Sequence, residues 1–312
     1  MHTGTDYWKN YMERYFGSGH ITDWQKSCRE VTIRSNDEPL HLETYIYGDK
    51  KPTFIFSHGI VGYARLLLPF VLPLYHRGIN VICPDLKGYG YNSHTRGDFS
   101  WDEHVTNLVD TARYARERFS GPLFIGGASM GGPLAYEAAV RFRQIDGLIC
   151  WGLWNMTDGE FIENETSLKG KSRIVLPLLK LTKGLVERAA GTRMLRIDSV
   201  VSYDTLSGVP ECNEMIRNDP QAGNFISVRG ALSLLTQSRP SVAYENFLKP
   251  VLIFQGGADR MTPPQYTNET FLRIGCPDKR YIELDGAEHF PLQKRFYDEW
   301  CSKVSAFIRM NG

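Results

Sequence analysis

The sequence predicts an α/β fold: a mostly parallel, twisted sheet flanked by helices and interrupted by a mostly helical cap. Three observations predict it. Short apolar runs alternate with longer amphipathic segments over most of the chain, the pattern of parallel strands joined by helical crossovers. Hydrophobic residues make up 42% and charged residues 23%, an ordinary globular balance. Between two of the apolar runs, residues 152–249 lack strand alternation but carry helical stretches such as RIVLPLLKLTKGLVERAAG. A structureless loop of that length inside a compact domain is uncommon, so the stretch is expected to be a helical subdomain. The 312 residues therefore divide into a core, 1–151 with 250–312, and a cap, 152–249.

The elements follow in order. Trp8, Tyr11, Met12, Tyr15 and Phe16 recur at three- and four-residue spacing, which predicts a helix whose aromatic face packs on the body of the protein. CREVTIRS and LHLETYIYG alternate apolar and polar positions around Asn36-Asp37, a turn signal, and predict a hairpin. Next come the strand PTFIFSHG, a helix to His76, the strand NVICPD, a helix near 101–119 and the strand PLFIGGAS. A helix at 132–143 and the strand DGLICW precede the cap; PVLIFQGGAD, a helix near 264–273, KRYIELDGAEH and a closing helix from about 293 follow it.

Thirty-six basic and thirty-five acidic side chains leave a net charge of +1, with no field to steer a polyanion, so nucleic acid is not an expected partner. The six cysteines show no C-x-x-C spacing and are expected as reduced thiols. The N-terminal stretch lacks a basic patch followed by an apolar run, and no run of eighteen apolar residues occurs, so no transmembrane segment and a cytoplasmic location are expected. H-E-x-x-H, clustered Cys and His, Walker and dinucleotide glycine patterns are absent from the sequence, so neither metal nor cofactor is expected.

Gly127-Ala128-Ser129-Met130-Gly131 fits G-x-S-x-G. Chance alone can supply this pattern, so by itself it is weak, but here it follows the apolar run LFIG and opens a helix, as a nucleophile elbow requires. A serine hydroxyl becomes a nucleophile only when a base takes its proton and a third group orients the base. Of eight histidines only His289 follows Ser129, in the loop after the last expected strand. Asp259, at the end of the preceding strand, is the expected orienting acid; Asp285 and Glu288 are nearer in sequence and stay open as alternatives. Donors for a developing oxyanion are expected from the backbone N–H groups of Met130 and of Ile60, with Val61 as the alternative. His58 is expected to be a structural loop residue.

His58-Gly59, the stretch Asp85–Ser93, the elbow, Asp259 with Pro263, and His289 together resemble the α/β-hydrolase superfamily over nearly the whole chain. Within it the chain is similar to the monoacylglycerol lipase, lysophospholipase and serine aminopeptidase group, a similarity to which Asn218-Asp219-Pro220 and KPVLIFQGGAD add. The resemblance implies ester or amide hydrolysis through an acyl-enzyme, without a cofactor. Its elbow reads Gly-Ala-Ser where lipase-like members commonly have Gly-His-Ser. The expected substrate is a small ester, glyceride-like or a lactone, with an acyl chain; a homodimer is left open.

The cap is expected to set specificity. Trp151 and Trp154, after a strand end, are the candidate substrate-binding residues; Leu176, Leu178, Leu179, Leu181, Leu185 and Val186 could line an acyl pocket or pack the cap onto the core, and packing is the expected role. Two other functions compete. The acidic cluster Asp158, Glu160, Glu163 and Glu165 could hold a peptide amine in an aminopeptidase, and the fold could serve as a non-catalytic ligand-binding protein.

Overall fold

The computed structural model describes residues 6–92, 94–166, 168, 170–199 and 201–312. Ser93, the last residue of the stretch beginning at Asp85, lies outside the described residues. Helices α1 (Tyr7–Tyr15) and α2 (Gly19–Ser27) precede an antiparallel pair, β1 (Cys28–Ser35) and β2 (Glu38–Tyr45). The aromatic face of α1 packs inward as expected: Trp8, Tyr11 and Met12 are buried, and Tyr11 meets Phe16 and Phe290. Helix α2 has no counterpart in the sequence expectations. The β1–β2 turn is made by Asn36 and Asp37, both left-handed (φ 50° and 62°), which these two residue types tolerate and a tight hairpin demands.

Strand β3 (Thr53–Ser57), α3 (Leu68–Tyr75), β4 (Asn80–Pro84), α4 (Trp101–Arg118), β5 (Leu123–Ala128), α5 (Gly131–Arg141) and β6 (Gly147–Trp151) then alternate as the apolar runs predict. Every residue of these four strands is buried, because helices cover both faces of a parallel sheet. That is why the runs are apolar but for residues at their ends, such as Thr53, Ser57 and Asn80.

An insertion follows, with α6 (Gly159–Glu165), α7 (Ser172–Ala190), β7 (Met194–Arg196), α8 (Pro210–Asn218), β8 (Phe225–Ser227) and α9 (Val228–Gln237). It is mostly helical, as expected, but β7 and β8 pair antiparallel into a separate two-stranded sheet. Three-residue strands are too short for alternation to show in the sequence. Packing onto the core, the expected role of the α7 residues, needs correction, and the pocket-lining alternative applies to two of them. Leu178, Leu181 and Leu185 are exposed, together with Ile174, while Leu179 and Val186 line a cavity and Leu176 packs beside Trp154 and Phe161.

The chain closes with β9 (Val251–Gly256), α10 (Pro264–Arg273), β10 (Lys279–Leu284) and α11 (Lys294–Asn311). Among the described residues, eight strands form the main sheet in the order β1-β2-β4-β3-β5-β6-β9-β10, with β2 antiparallel to both neighbours and the other pairs parallel. From β3 the chain steps to β4 on one side, then returns to β5 on the other. This reversal opens a crevice at the carboxyl ends of β3 and β5, where open α/β sheets bind ligands. Trp300 of α11 anchors the core, its ring against Phe56, Phe70 and Phe254 and its indole N–H on the Phe70 carbonyl. Among the described residues no helix is long and apolar enough to cross a membrane.

Candidate active site

Strand β5 delivers Ser129 to the crevice. Its φ of 56° is left-handed, a conformation that costs an L-residue roughly 1–2 kcal/mol and lifts the side chain out of the strand line. The turn is held on both sides: the Ser129 N–H donates to the Trp151 carbonyl (2.8 Å) and the Ser129 carbonyl accepts the Gly132 N–H (2.8 Å). A Cβ on Gly127 would lie 2.4 Å from the Gly131 carbonyl, so the strand can turn this sharply into α5 only with glycine there.

The loop after β3 abuts the elbow. A Cβ on Gly59 would fall 2.7 Å from the Ser129 Cβ. Val61 is left-handed too (φ 58°), an outlier for a β-branched residue, so both walls of the crevice carry backbone strain. Ile60, Met130 and Ser129 line one cavity, and among the described residues neither the Ile60 nor the Met130 N–H has a hydrogen-bond partner. His58 is fully buried beneath this loop. Its Nδ1–H donates to the Gly59 carbonyl (2.7 Å), its Nε2 accepts the Leu86 N–H (3.0 Å), and burial pushes its pKa down, so it stays neutral and structural as expected.

The loop is braced from outside by Asp85, whose carboxylate accepts the N–H groups of Ala64 (2.8 Å) and Tyr91 (2.7 Å) and His41 Nδ1 (2.8 Å). Burial pulls the His41 pKa down, but its hydrogen bonds to Asp85 and Glu30 outweigh that and lift it to about 10. The imidazole is therefore a cation in a buried network that also contains Arg65 and Glu43. Among the described residues, Glu30, His41 and Glu43 are the grouping with ligand atoms close enough for a metal, within 4.8 Å of one another, and Arg65 already pairs with both glutamates.

Asp259 and His289 meet at the ends of β9 and β10. His289 Nδ1 donates to Asp259 Oδ2 at 2.8 Å, and both side chains are buried. The other oxygen, Oδ1, accepts the N–H groups of Met261 (2.9 Å) and Thr262 (2.8 Å), and Gln255 reaches Oδ2 at 3.3 Å. The carboxylate is thus saturated with donors and fixed in plane, and His289 is left with Nε2 for proton exchange. Of the alternative acids, Glu288 turns away to accept the Gly208 N–H at 2.5 Å.

A cavity of about 670 Å³ opens over Ser129 beneath the insertion. Its wall is largely apolar, with Met156, Leu179, Val186 and Leu235, and carries Glu165, Asp198 and Arg260 among its polar residues. Trp154 lines it as expected. Trp151 does not: it is buried below, stacked on Phe254 (ring centroids 6.1 Å apart, interplanar angle 5°), and donates its indole N–H to the His289 carbonyl at 3.2 Å. A strand-end residue that points to the sheet's covered face cannot reach the crevice. With its carbonyl on Ser129 and its indole on His289, Trp151 bridges the two loops from beneath, a role its sequence position did not disclose.

Comparison with known proteins agrees with this architecture. Residues 48–294 match the family described as serine aminopeptidase, S33. The chain is 29% identical over 224 residues to phospholipase YtpA of Bacillus subtilis, covering 68% of this chain and 77% of that one. In fold it is similar to a highly thermostable carboxyl esterase from Bacillus coagulans (TM-score 0.74, 18% identity, 91% of this chain and 99% of that chain). It is also similar to the monoacylglycerol lipase of Paleococcus ferrophilus (TM-score 0.67, 19% identity, 88% and 99%). The chain belongs to the serine aminopeptidase S33 family of hydrolases, within the α/β-hydrolase superfamily.

Proposed function

We propose that this hydrolase cleaves carboxylic esters through an acyl-enzyme formed on Ser129. The observation that carries the reading is the buried 2.8 Å His289–Asp259 hydrogen bond, with Arg260, Met261 and Thr262, which follow Asp259, lining the same cavity as a serine held in a left-handed elbow. His289 Nε2 takes the proton of the Ser129 hydroxyl as Oγ bonds to the substrate carbonyl carbon. Asp259 holds the imidazole in the Nδ1–H tautomer and stabilises the cation that forms. The Ile60 and Met130 N–H groups, unpartnered among the described residues, receive the oxyanion. As the tetrahedral intermediate collapses, His289 returns the proton to the departing alkoxide; water then repeats the sequence and releases the acid.

The apolar wall supports an acyl chain as the part of the substrate that fills the cavity, and the insertion serves as the cap that shapes it. The B. subtilis relative, a phospholipase by name, and the esterase and lipase neighbours favour esters over amides. A second reading, an aminopeptidase, has one supporting observation: Glu165 lines the cavity and could hold an amine. Asp158 instead caps α6, and Glu160 is exposed. Paired assays with p-nitrophenyl esters of increasing chain length and aminoacyl arylamides separate the two. Turnover of esters only is expected; turnover of arylamides only would replace the first reading by the second.

A further inference from the structure

We propose that the insertion segment Asp204–Gly208 holds the His289–Asp259 pair in register, with Glu288 as a positioning residue; this rests on the triad reading above. Three hydrogen bonds converge on that short run. The Phe290 N–H donates to the Leu206 carbonyl (2.8 Å), the Gly208 N–H donates to the Glu288 carboxylate (2.5 Å), and Arg260 donates to the Asp204 carbonyl (3.1 Å). The residues on both sides of His289, and the one after Asp259, are therefore fastened to a single stretch of the insertion.

The segment can bear this role because it is itself fixed. Tyr203 and Leu206 are buried, and Ser207 exchanges hydrogen bonds with Asn213 of α8 through its N–H (3.1 Å) and its carbonyl (2.9 Å). Its other side faces the cavity, where Ser202 and Thr205 contribute to the wall. The His289 loop, in contrast, crosses from β10 to α11 without regular structure, so its register depends on such ties. A base displaced by about 1 Å can lose on the order of 100-fold in rate. The fit is close: a Cβ on Gly208 would lie 2.1 Å from Glu288 Oε1, although its φ lies outside the left-handed range and the backbone accepts alanine.

The test measures kcat and KM on a p-nitrophenyl ester for Glu288→Ala, Glu288→Gln, Gly208→Ala and the double variant Glu288→Ala/Gly208→Ala, each with its melting temperature. Glu288→Ala and Gly208→Ala are expected to lower kcat about tenfold with KM within about twofold, and the double variant to be no worse than the poorer single, since both break one contact. Glu288→Gln keeps a carbonyl acceptor and restores most of the rate. In a Ser129→Ala background, the low-field proton resonance of the His289–Asp259 bond weakens in Glu288→Ala and returns in Glu288→Gln, a readout independent of turnover. Unchanged kcat in both single variants, or an equal loss in Glu288→Gln and Glu288→Ala, would overturn the proposal. His289→Ala distinguishes the two levels: if it is inactive while Glu288→Ala is normal, only the clamp fails; if it is fully active, the triad reading fails with it.

Discussion

At the residue scale, the arrangement places each side chain by a named contact. Trp151 is the plainest case, because its carbonyl and indole each hold a different loop. Trp151→Phe keeps the stacking on Phe254 but leaves the His289 carbonyl without its donor, a loss of about 1–3 kcal/mol for a buried acceptor. We expect kcat to fall several-fold and the melting temperature to drop; an unchanged kcat would show that the indole contact does not orient the histidine. Trp154 acts on the cavity instead. It is buried against Phe161 and forms part of the wall, so Trp154→Ala enlarges the space over Ser129. The optimum along a p-nitrophenyl ester series is expected to move to longer chains, at a stability cost of roughly 3–5 kcal/mol read by chemical denaturation.

At the scale of elements, the apolar runs that become β3 to β6 and β9 were legible because burial on both faces removes the alternating polar positions of a strand, leaving Thr53, Ser57, Asn80 and Gln255 at or near strand ends. The hairpin was legible through Asn36-Asp37, and the elbow through the strand before it and the helix after it. Helix α2, with only Ile21 buried, carries too thin an apolar stripe to announce itself. The brace behind the loop after β3 was illegible for another reason: His41, Arg65 and Asp85 come from separate segments, and only the sheet order brings them together. That brace makes a pH prediction. His41 is raised from its ordinary 6.5 to about 10, so its contribution to stability is fully present below about 6.5 and is lost as pH rises through 10. Asp85, Glu30, Glu43 and Arg65 face it and remain charged or paired across that range. His41→Asn should flatten the fall in melting temperature between pH 7 and pH 10 relative to the unsubstituted chain; parallel curves would contradict the assignment.

At the scale of the molecule, the insertion is tied to the sheet at the two places where chemistry is proposed. The Tyr63 hydroxyl donates to Asp219 at 2.5 Å, fastening the loop after β3, and Leu206 and Gly208 fasten the loop of His289. The Glu288–Gly208 contact joins residues 80 apart in the chain, and no local pattern marks such a partner. The existence of the insertion, and its helices, could be inferred from the missing strand alternation; which of its leucines face the cavity could not, since an exposed and a cavity-lining leucine have the same spacing on α7. Leu179 tests the cavity's assignment: Leu179→Trp should shorten the longest acyl chain accepted while leaving turnover of a short ester within about twofold. The most direct measurement is labelling with a fluorophosphonate probe followed by peptide mass spectrometry. A single adduct on Ser129, absent in Ser129→Ala and strongly slowed in His289→Ala, is the expected result. A folded protein that takes no label, or takes it at another residue, would contradict the assignment of Ser129 as the nucleophile.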